Sequence, residues 1–96
     1  MEASKIRLTV PEGIDPSRVL GAGDGVLRAL ENLVRAHVVA RGDNIAVNGD
    51  PDEVELAARF FEHAFREAAA GRTLSADDVS RCLAVLRDGE HDASSL

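Results

Sequence analysis

The stretch H-V-V-A-R-G-D-N-I-A-V-N-G-D-P-D-E, from His37 to Glu53, decides the fold of this 96-residue chain. Gly42 and Asp43 form a Gly-X pair between two apolar runs, and glycine accepts the positive φ of a type II′ hairpin turn. The turn brings four apolar side chains to one face of an antiparallel hairpin, namely Val38, Ala40, Ile45 and Val47. The other face carries His37, Arg41, Asn44 and Asn48, with Val39 and Ala46 among them.

The predicted hairpin leads directly into a helix. Asp50 can accept N–H bonds as the N-cap, Pro51 suits the first helical position, and Glu53 can reach back to the cap. Apolar residues at helical spacing predict a helix from Pro51 to about Ala70, followed by Gly71 just beyond its end. This helix holds the three aromatic residues of the chain, with Phe61 and Phe65 on its apolar stripe and Phe60 widening it.

The segments before the hairpin predict one strand and two helices. Residues 5–10 alternate strictly between polar and apolar side chains, which favours a half-buried strand. Asp15 and Pro16 resemble an N-cap and a first-turn proline, which predicts a one-turn helix over residues 16–20 that a glycine-rich segment ends. A longer helix, capped by Asp24 and carrying one apolar stripe, is expected to run to about Arg35.

One more helix and a polar tail are predicted after the helix that holds the phenylalanines. Ser75 is the expected N-cap, and Leu74 and Val79 can pack across it as a hydrophobic staple. This helix is expected to end at about Arg87. From Gly89 onward the sequence G-E-H-D-A-S-S-L has no periodicity, which predicts a disordered tail or linker over residues 89–96.

Together these elements predict a two-layer α+β domain over residues 1–88. Their order is strand, short helix, helix, strand, strand, helix, helix. Each of the three strands has one apolar face, and helices packed on that shared face would bury it.

Composition and charge limit the classes of function. The net charge is −6 and is unevenly divided, because residues 1–41 carry +1 and residues 42–96 carry −7. An acidic domain is a poor candidate for strong, non-specific nucleic-acid binding, so only the N-terminal half suits phosphate. The single cysteine fits a reducing cytoplasm, and the sequence shows neither a signal-peptide pattern nor an apolar run of membrane-spanning length. We therefore expect a cytoplasmic domain with no membrane partner.

The sequence contains no catalytic or metal-binding pattern. It has no P-loop, no His-Glu-x-x-His and no Gly-x-Ser-x-Gly. The three histidines are scattered, and Cys82 falls on an apolar helix stripe, where an inert buried thiol is expected. The acidic run at residues 50–55 lacks the ligand alternation of a calcium loop, and helix capping explains it. We expect no enzyme activity, metal site or cofactor in this domain.

Two places in the chain could meet an anion. The first is the glycine-rich segment L-G-A-G-D-G-V-L at residues 20–27, because free N–H groups at a helix start attract phosphate. The alternative interpretation of this segment is a simple helix–helix corner. The second is the outer side of the sheet, where Lys5, Arg7 and Arg41 project with Thr9, His37 and the asparagines and with no acidic residue. The alternative interpretation of this side of the sheet is an ordinary solvated face.

The order of the elements resembles a KH domain, a small RNA-binding module. A type I KH domain has the order β-α-α-β-β-α, with an Ile-Gly-x-x-Gly loop between its first two helices. Here V-L-G-A-G-D at residues 19–24 occupies the place of that loop, and one extra helix follows at the C-terminal end. The resemblance implies a KH-like, three-stranded sheet with helices on one face.

Three segments are more specifically similar to the N-terminal region of the PhoH-like, phosphate-starvation-inducible proteins. They are L-G-A-G-D-G-V-L-R-A-L-E at 20–31, V-V-A-R-G-D-N-I-A-V-N-G-D-P-D-E-V-E-L-A at 38–57 and G-R-T-L-S-A-D-D-V at 71–79. PhoH-like proteins carry a P-loop ATPase domain after this region, which uses ATP and Mg, and the chain lacks it. The resemblance implies a truncated or stand-alone accessory domain of a bacterial protein in RNA metabolism and phosphate limitation.

The resemblance also implies binding of single-stranded RNA, with the ATPase domain of the parent protein as a second partner. The candidate RNA-contacting residues are Gly21, Ala22, Gly23, Arg28, Arg41, Gly42, Lys5 and Arg7. At the second glycine position of the KH loop this sequence has Asp24, whose carboxylate repels an incoming phosphate. The alternative is a KH-like domain used for protein contact, ring assembly or regulation, with no RNA binding of its own.

Overall fold

The computed structural model describes residues 3–21 and 24–95, with side chains as far as Arg87. The elements are β1 (Ser4–Thr9), α1 (Pro16–Leu20), α2 (Gly25–Leu33), β2 (Ala36–Arg41), β3 (Asn44–Gly49), α3 (Pro51–Ala69) and α4 (Ala76–Ser95). Helix α3 packs on all three strands, and the other helices pack on α3 or on one another. The predicted α+β class and element order are confirmed, and the architecture is compatible with a KH-like fold.

The sheet is antiparallel, and β3 lies in its centre in the order β1-β3-β2. The hairpin has the predicted register, in which Val38 is opposite Val47 and Ala40 is opposite Ile45. Gly42 has a φ of 59°, and Asp43 is not among the residues with positive φ. A type II′ turn needs positive φ only at its first central position, so this geometry fits the predicted turn.

The core lies between the sheet and α3. Phe60 and Phe61 are fully buried and meet edge to face, with ring centroids 5.6 Å apart. Phe65 is only partly buried, although it was predicted to lie on the main stripe. Because α3 contacts α1 and α4 as well as the sheet, its buried surface is wider than one stripe and takes in Phe60.

The end of α3 is specified locally, whereas two predicted contacts at its start are absent. Pro51 occupies the first turn as predicted, but Asp50 makes no side-chain capping bond. The predicted return of Glu53 to the cap is wrong, because its carboxylate accepts hydrogen bonds from Arg35 and Arg87 instead. At the other end Gly71 has a φ of 83°, and the N–H groups of residues 71 and 72 donate to the carbonyls of residues 68 and 67, which is a Schellman motif.

Helix α4 begins as predicted and ends later. The Ser75 N–H and hydroxyl groups both donate to the carboxylate of Asp78, at 2.9 and 3.0 Å, which closes the start of the helix. Leu74 and Val79 pack against the core. The backbone stays helical to Ser95, beyond the predicted helix end at about Arg87. Extending an existing helix costs little per residue, and a single internal glycine costs only about 1 kcal/mol.

Helix α2 is shorter than predicted. It ends at Leu33 instead of about Arg35, because Val34 is already extended, with φ −119° and ψ 153°. Strand β2 begins two residues later. Within the described part of the chain, no helix combines the length and apolar character needed to cross a lipid bilayer.

Candidate nucleic-acid interface

The outer side of the sheet is a grid of nine side chains in three cross-strand rows. Pairing of β1 with β3 and of β3 with β2 places directly opposed residues on the same side of the sheet. The rows are Lys5–Asn48–His37, Arg7–Ala46–Val39 and Thr9–Asn44–Arg41. We call these nine residues the outer face. The alternate residues of the same strands point into the core, on the side where α3 packs.

The outer face carries positive charge without a neutralising partner. Lys5, Arg7 and Arg41 are exposed, and none of them makes an ion pair with a residue that the structure describes. The nine positions include no acidic residue. Two carboxylates lie at the margins, because Glu31 approaches His37 Nδ1 at 3.2 Å and Asp43 is in the hairpin turn.

The centre of the outer face is lower than its rim. Ala46 and Val39 have short side chains, and Val39 is 38% exposed although it is apolar. An open depression of about 470 Å³ lies over them. Its polar lining consists of Lys5, Arg7, Arg41, Asn44 and Asn48. The arrangement therefore offers cations, amides and a small apolar floor to one ligand.

Packing explains the first glycine of the glycine-rich loop. Gly21 has a φ of 80°, and a Cβ atom there would lie 2.9 Å from Val26 Cγ2 and 3.0 Å from Val26 N. Glycine at position 21 therefore allows α1 and α2 to meet at a close corner. Of the other predicted loop residues, Ala22 and Gly23 lie outside the described residues.

Asp24 places a negative charge where a phosphate would approach the loop. It occupies the N-cap position of α2 in the left-handed conformation, with φ 60° and ψ 29°, and makes no side-chain capping bond. Its side chain is exposed, so the carboxylate stands at the positive end of the helix dipole. Arg28, one turn further along α2, is exposed. The loop thus presents one anion and one cation, whereas the outer face presents three cations.

The structure divides the predicted site residues into two groups. Lys5, Arg7 and Arg41 come together on the outer face, and Gly42 forms the turn at one end of it. Gly21 and Arg28 lie in the helical part of the domain. The list of candidate RNA-contacting residues omitted Asn44 and Asn48, which flank Ala46 on the central strand, although the sequence had placed both on the outer side of the sheet. The alternation of β3 was the sequence signal for these two positions.

Comparison with known proteins finds a similarity to PhoH-like proteins. No protein-family model matches the chain. A PhoH-like protein of Mycobacterium leprae (strain TN) is 34% identical over 91 residues, which is 90% of this chain and 26% of that protein. PhoH-like proteins of Mycobacterium bovis and Mycobacterium tuberculosis (strain CDC 1551 / Oshkosh) are 34% identical over 68 residues, which is 71% of this chain and 19% of each relative.

Over most of its own length the chain is therefore similar to one region of PhoH-like proteins. It spans about a quarter of the length of the Mycobacterium leprae relative. This coverage is consistent with the N-terminal region of a PhoH-like protein, as the resemblance of the three segments implied.

A charged clamp fixes the additional helix α4 to the rest of the fold. Arg87 Nη1 and Nη2 donate to the two carboxylate oxygens of Glu53, at 3.1 and 3.2 Å, and Nη2 also donates to the Leu33 carbonyl at 3.1 Å. The Arg35 N–H group donates to Glu53 Oε1 at 3.1 Å. Burial raises the pKa of Glu53, but the hydrogen bonds from Arg87 and Arg35 outweigh it and hold that pKa below its ordinary value.

Helix α4 also borders an apolar groove. Cys82, Val85 and Leu86 line it together with His63 and Arg81, and Val85 is 70% exposed. Burial, followed by the charges of Asp78 and Glu67, raises the pKa of the Cys82 thiol, which makes it a weak nucleophile. Among the described residues, no group of three or more His, Cys, Asp or Glu side chains is arranged to hold a metal ion.

Proposed function

We propose that this PhoH-like domain binds single-stranded RNA through its outer face. In this proposal it is an accessory domain of a PhoH-type ATPase in RNA metabolism or the phosphate-starvation response, and the ATP and Mg are used elsewhere in the parent protein. The observation that supports it is the outer face itself, which has no carboxylate and carries three cations without an ion-pair partner among the described residues of this acidic chain.

The outer face suits RNA better than the glycine-rich loop does. Phosphate binding at a helix start depends on free N–H groups and the helix dipole, and Asp24 opposes both with its own charge. On the outer face, Lys5, Arg7 and Arg41 are available for phosphates and the amides for bases. Sequence-specific recognition of RNA generally uses single strands, whose unstacked bases expose their edges.

Three cations predict weak binding with a measurable salt dependence. Each phosphate neutralised on a single strand contributes about −0.7 to the slope of log K against log salt, so three contacts give a slope of about −2. The net charge of −6 works against binding at long range. A domain of this kind adds affinity to an ATPase that holds the same strand, because linked sites bind together more tightly than either alone.

Fluorescence anisotropy of a labelled single-stranded RNA tests the proposal. Arg7→Ala and Arg41→Ala should each weaken binding at low salt by about 3- to 10-fold. Each should also make the salt slope shallower by about 0.7. Arg66→Ala is the matched control, since Arg66 is an exposed arginine on α3 in the helical layer and should change neither value.

A second comparison separates the outer face from the loop. Asp24→Gly removes the carboxylate and suits the left-handed backbone, whereas Arg28→Ala removes the nearest helical cation. Both variants should leave the affinity within about twofold if RNA lies on the outer face. Tightening by Asp24→Gly, together with no effect of Arg7→Ala, would move the site to the loop. The absence of any RNA binding by the wild-type chain at millimolar concentration would exclude the proposal for this domain.

A protein-contact function is the second candidate, and the groove beside α4 favours it. An exposed valine next to Cys82 and Leu86 forms an apolar surface of the kind that protein partners cover. In this reading the domain positions or regulates the ATPase part of a PhoH-like protein. Val85→Glu should then abolish co-elution of the domain with that ATPase part in size-exclusion chromatography, and an unchanged elution would exclude the groove as the contact.

A further inference from the structure

We propose that the outer face binds one base of the RNA strand at its centre as well as the phosphates at its margin. The base would lie over Ala46 and Val39, between the amides of Asn44 and Asn48, while Lys5 and Arg7 meet consecutive phosphates. This inference rests on the proposed function and adds base contact, and therefore sequence preference, to it.

The spacing of Lys5 and Arg7 favours an RNA strand that runs parallel to β1. Lys5 and Arg7 are two residues apart on the same side of β1. A β-strand rises about 3.3 Å per residue, so the Cα atoms of Lys5 and Arg7 are separated by about 6.6 Å along β1. That distance is close to the length of one nucleotide in an extended single strand. A sugar-phosphate backbone running along β1 therefore places successive phosphates near successive cations.

The central strand provides the base contacts. Asn48, Ala46 and Asn44 follow one another on the outer side of β3, opposite Lys5, Arg7 and Thr9. Neither asparagine side chain makes a hydrogen bond to another side chain or backbone group in the part of the chain that the structure describes. Each amide offers two donors and an acceptor, which matches the mixed donors and acceptors on base edges.

The floor of the depression suits a flat ring. Ala46 is half-buried and Val39 is exposed, and the two are directly paired across β3 and β2. One face of a base on this floor would pack against Ala46 and Val39. The amides of Asn44 and Asn48 would lie at opposite edges of the base. Arg41 lies in the next row and can stack its planar guanidinium on a neighbouring base. The outer face has no aromatic residue, so we expect base contact to contribute less than it does on an aromatic platform.

Base contact can be separated from phosphate contact with an abasic probe. The probe is an oligonucleotide with the same number of phosphates as the RNA but with several consecutive bases removed. The wild-type chain should bind it about 3- to 10-fold more weakly than the intact strand, with the same salt slope, because only neutral hydrogen bonds and apolar contact are lost. Equal affinity for the two probes would overturn the base contact and leave the proposed RNA binding intact.

Substitution of the asparagines locates the contact. Asn48→Ala and Asn44→Ala should each weaken binding of the intact strand by about 2- to 10-fold and leave binding of the abasic strand unchanged. Asn32→Ala is the matched control, because Asn32 is an exposed amide near the end of α2. Thermal melting of each variant checks its fold. An equal loss of affinity for both probes would assign the asparagines to the phosphates and overturn the inference, whereas no RNA binding at all would overturn the proposed function first.

Discussion

Arg87→Ala should weaken the whole fold, because Arg87 connects α4 to α2 and α3. The substitution removes the two hydrogen bonds to Glu53 and the one to the Leu33 carbonyl. Among the described residues, Glu53 then keeps only the Arg35 N–H as a hydrogen-bond donor, although its side chain is just 15% exposed. The clamp joins the end of α2, the start of α3 and α4, so its loss loosens three elements together.

The magnitude follows from the exposure of the pair. Hydrogen bonds to charged groups contribute about 1.5–3 kcal/mol, and fully exposed ion pairs contribute about 0.2–1 kcal/mol. Arg87 is 45% exposed and Glu53 is largely buried, so the pair lies between these limits. We expect a coupling free energy of about 1–2 kcal/mol between the two side chains. Arg87→Lys should recover only part of it, because an ammonium group cannot form the paired contact.

Urea unfolding of the wild type, Arg87→Ala, Glu53→Gln and the double variant at pH 7 measures this coupling. The reasoning is refuted if the coupling is below about 0.5 kcal/mol, or if Arg87→Lys is as stable as the wild type. Acidification gives a second readout. The folded-state pKa of Glu53 is lowered, so its contribution to stability is present above the unfolded value near 4.5 and is lost as the pH falls through the folded value. The stability difference between the wild type and Glu53→Gln should therefore shrink below about pH 4.5.

The remaining predictions concern the core and one glycine. Phe61→Ala should cost about 3–5 kcal/mol in the free energy of unfolding, because the ring is fully buried, and Phe65→Ala should cost less than half as much. Denaturant midpoints test this, and equal losses would mean that the two rings are buried alike. Gly49→Ala should cost about 2–3 kcal/mol, because its Cβ would lie 2.7 Å from the Arg35 carbonyl oxygen at a φ of 149°. Gly13→Ala is the control, with positive φ and open space around it, and a loss as large as that of Gly49→Ala would contradict the steric argument.

The hairpin and the sheet could be predicted from the sequence because their signals are local. Gly42 determines the turn, and the alternation on either side of it determines the register. The same alternation in β1 placed Lys5 and Arg7 on the side that carries Arg41. For that reason the sequence alone places the three cations of the outer face on one side of the sheet.

The clamp could not be predicted in this way. Glu53 and Arg87 are 34 residues apart in sequence, and no periodicity connects them. Local reasoning assigned Glu53 to the nearest unpaired group, the cap of its own helix, but a buried carboxylate is better satisfied by a guanidinium from another helix. The degree of burial of Phe60 and Phe65 was uncertain for a related reason, because it depends on where α1 and α4 pack on α3. Such positions are set by tertiary contacts.

The most direct test of the central claim is an NMR titration of the ¹⁵N-labelled chain with a short single-stranded RNA at low salt. If RNA lies on the outer face, the largest amide shift changes should fall in residues 5–9, 37–41 and 44–48, and they should diminish as salt is added. Arg7→Ala should reduce them, whereas Arg66→Ala should not. Changes concentrated in residues 20–28, with the three strands unaffected, would contradict the assignment of RNA binding to the sheet.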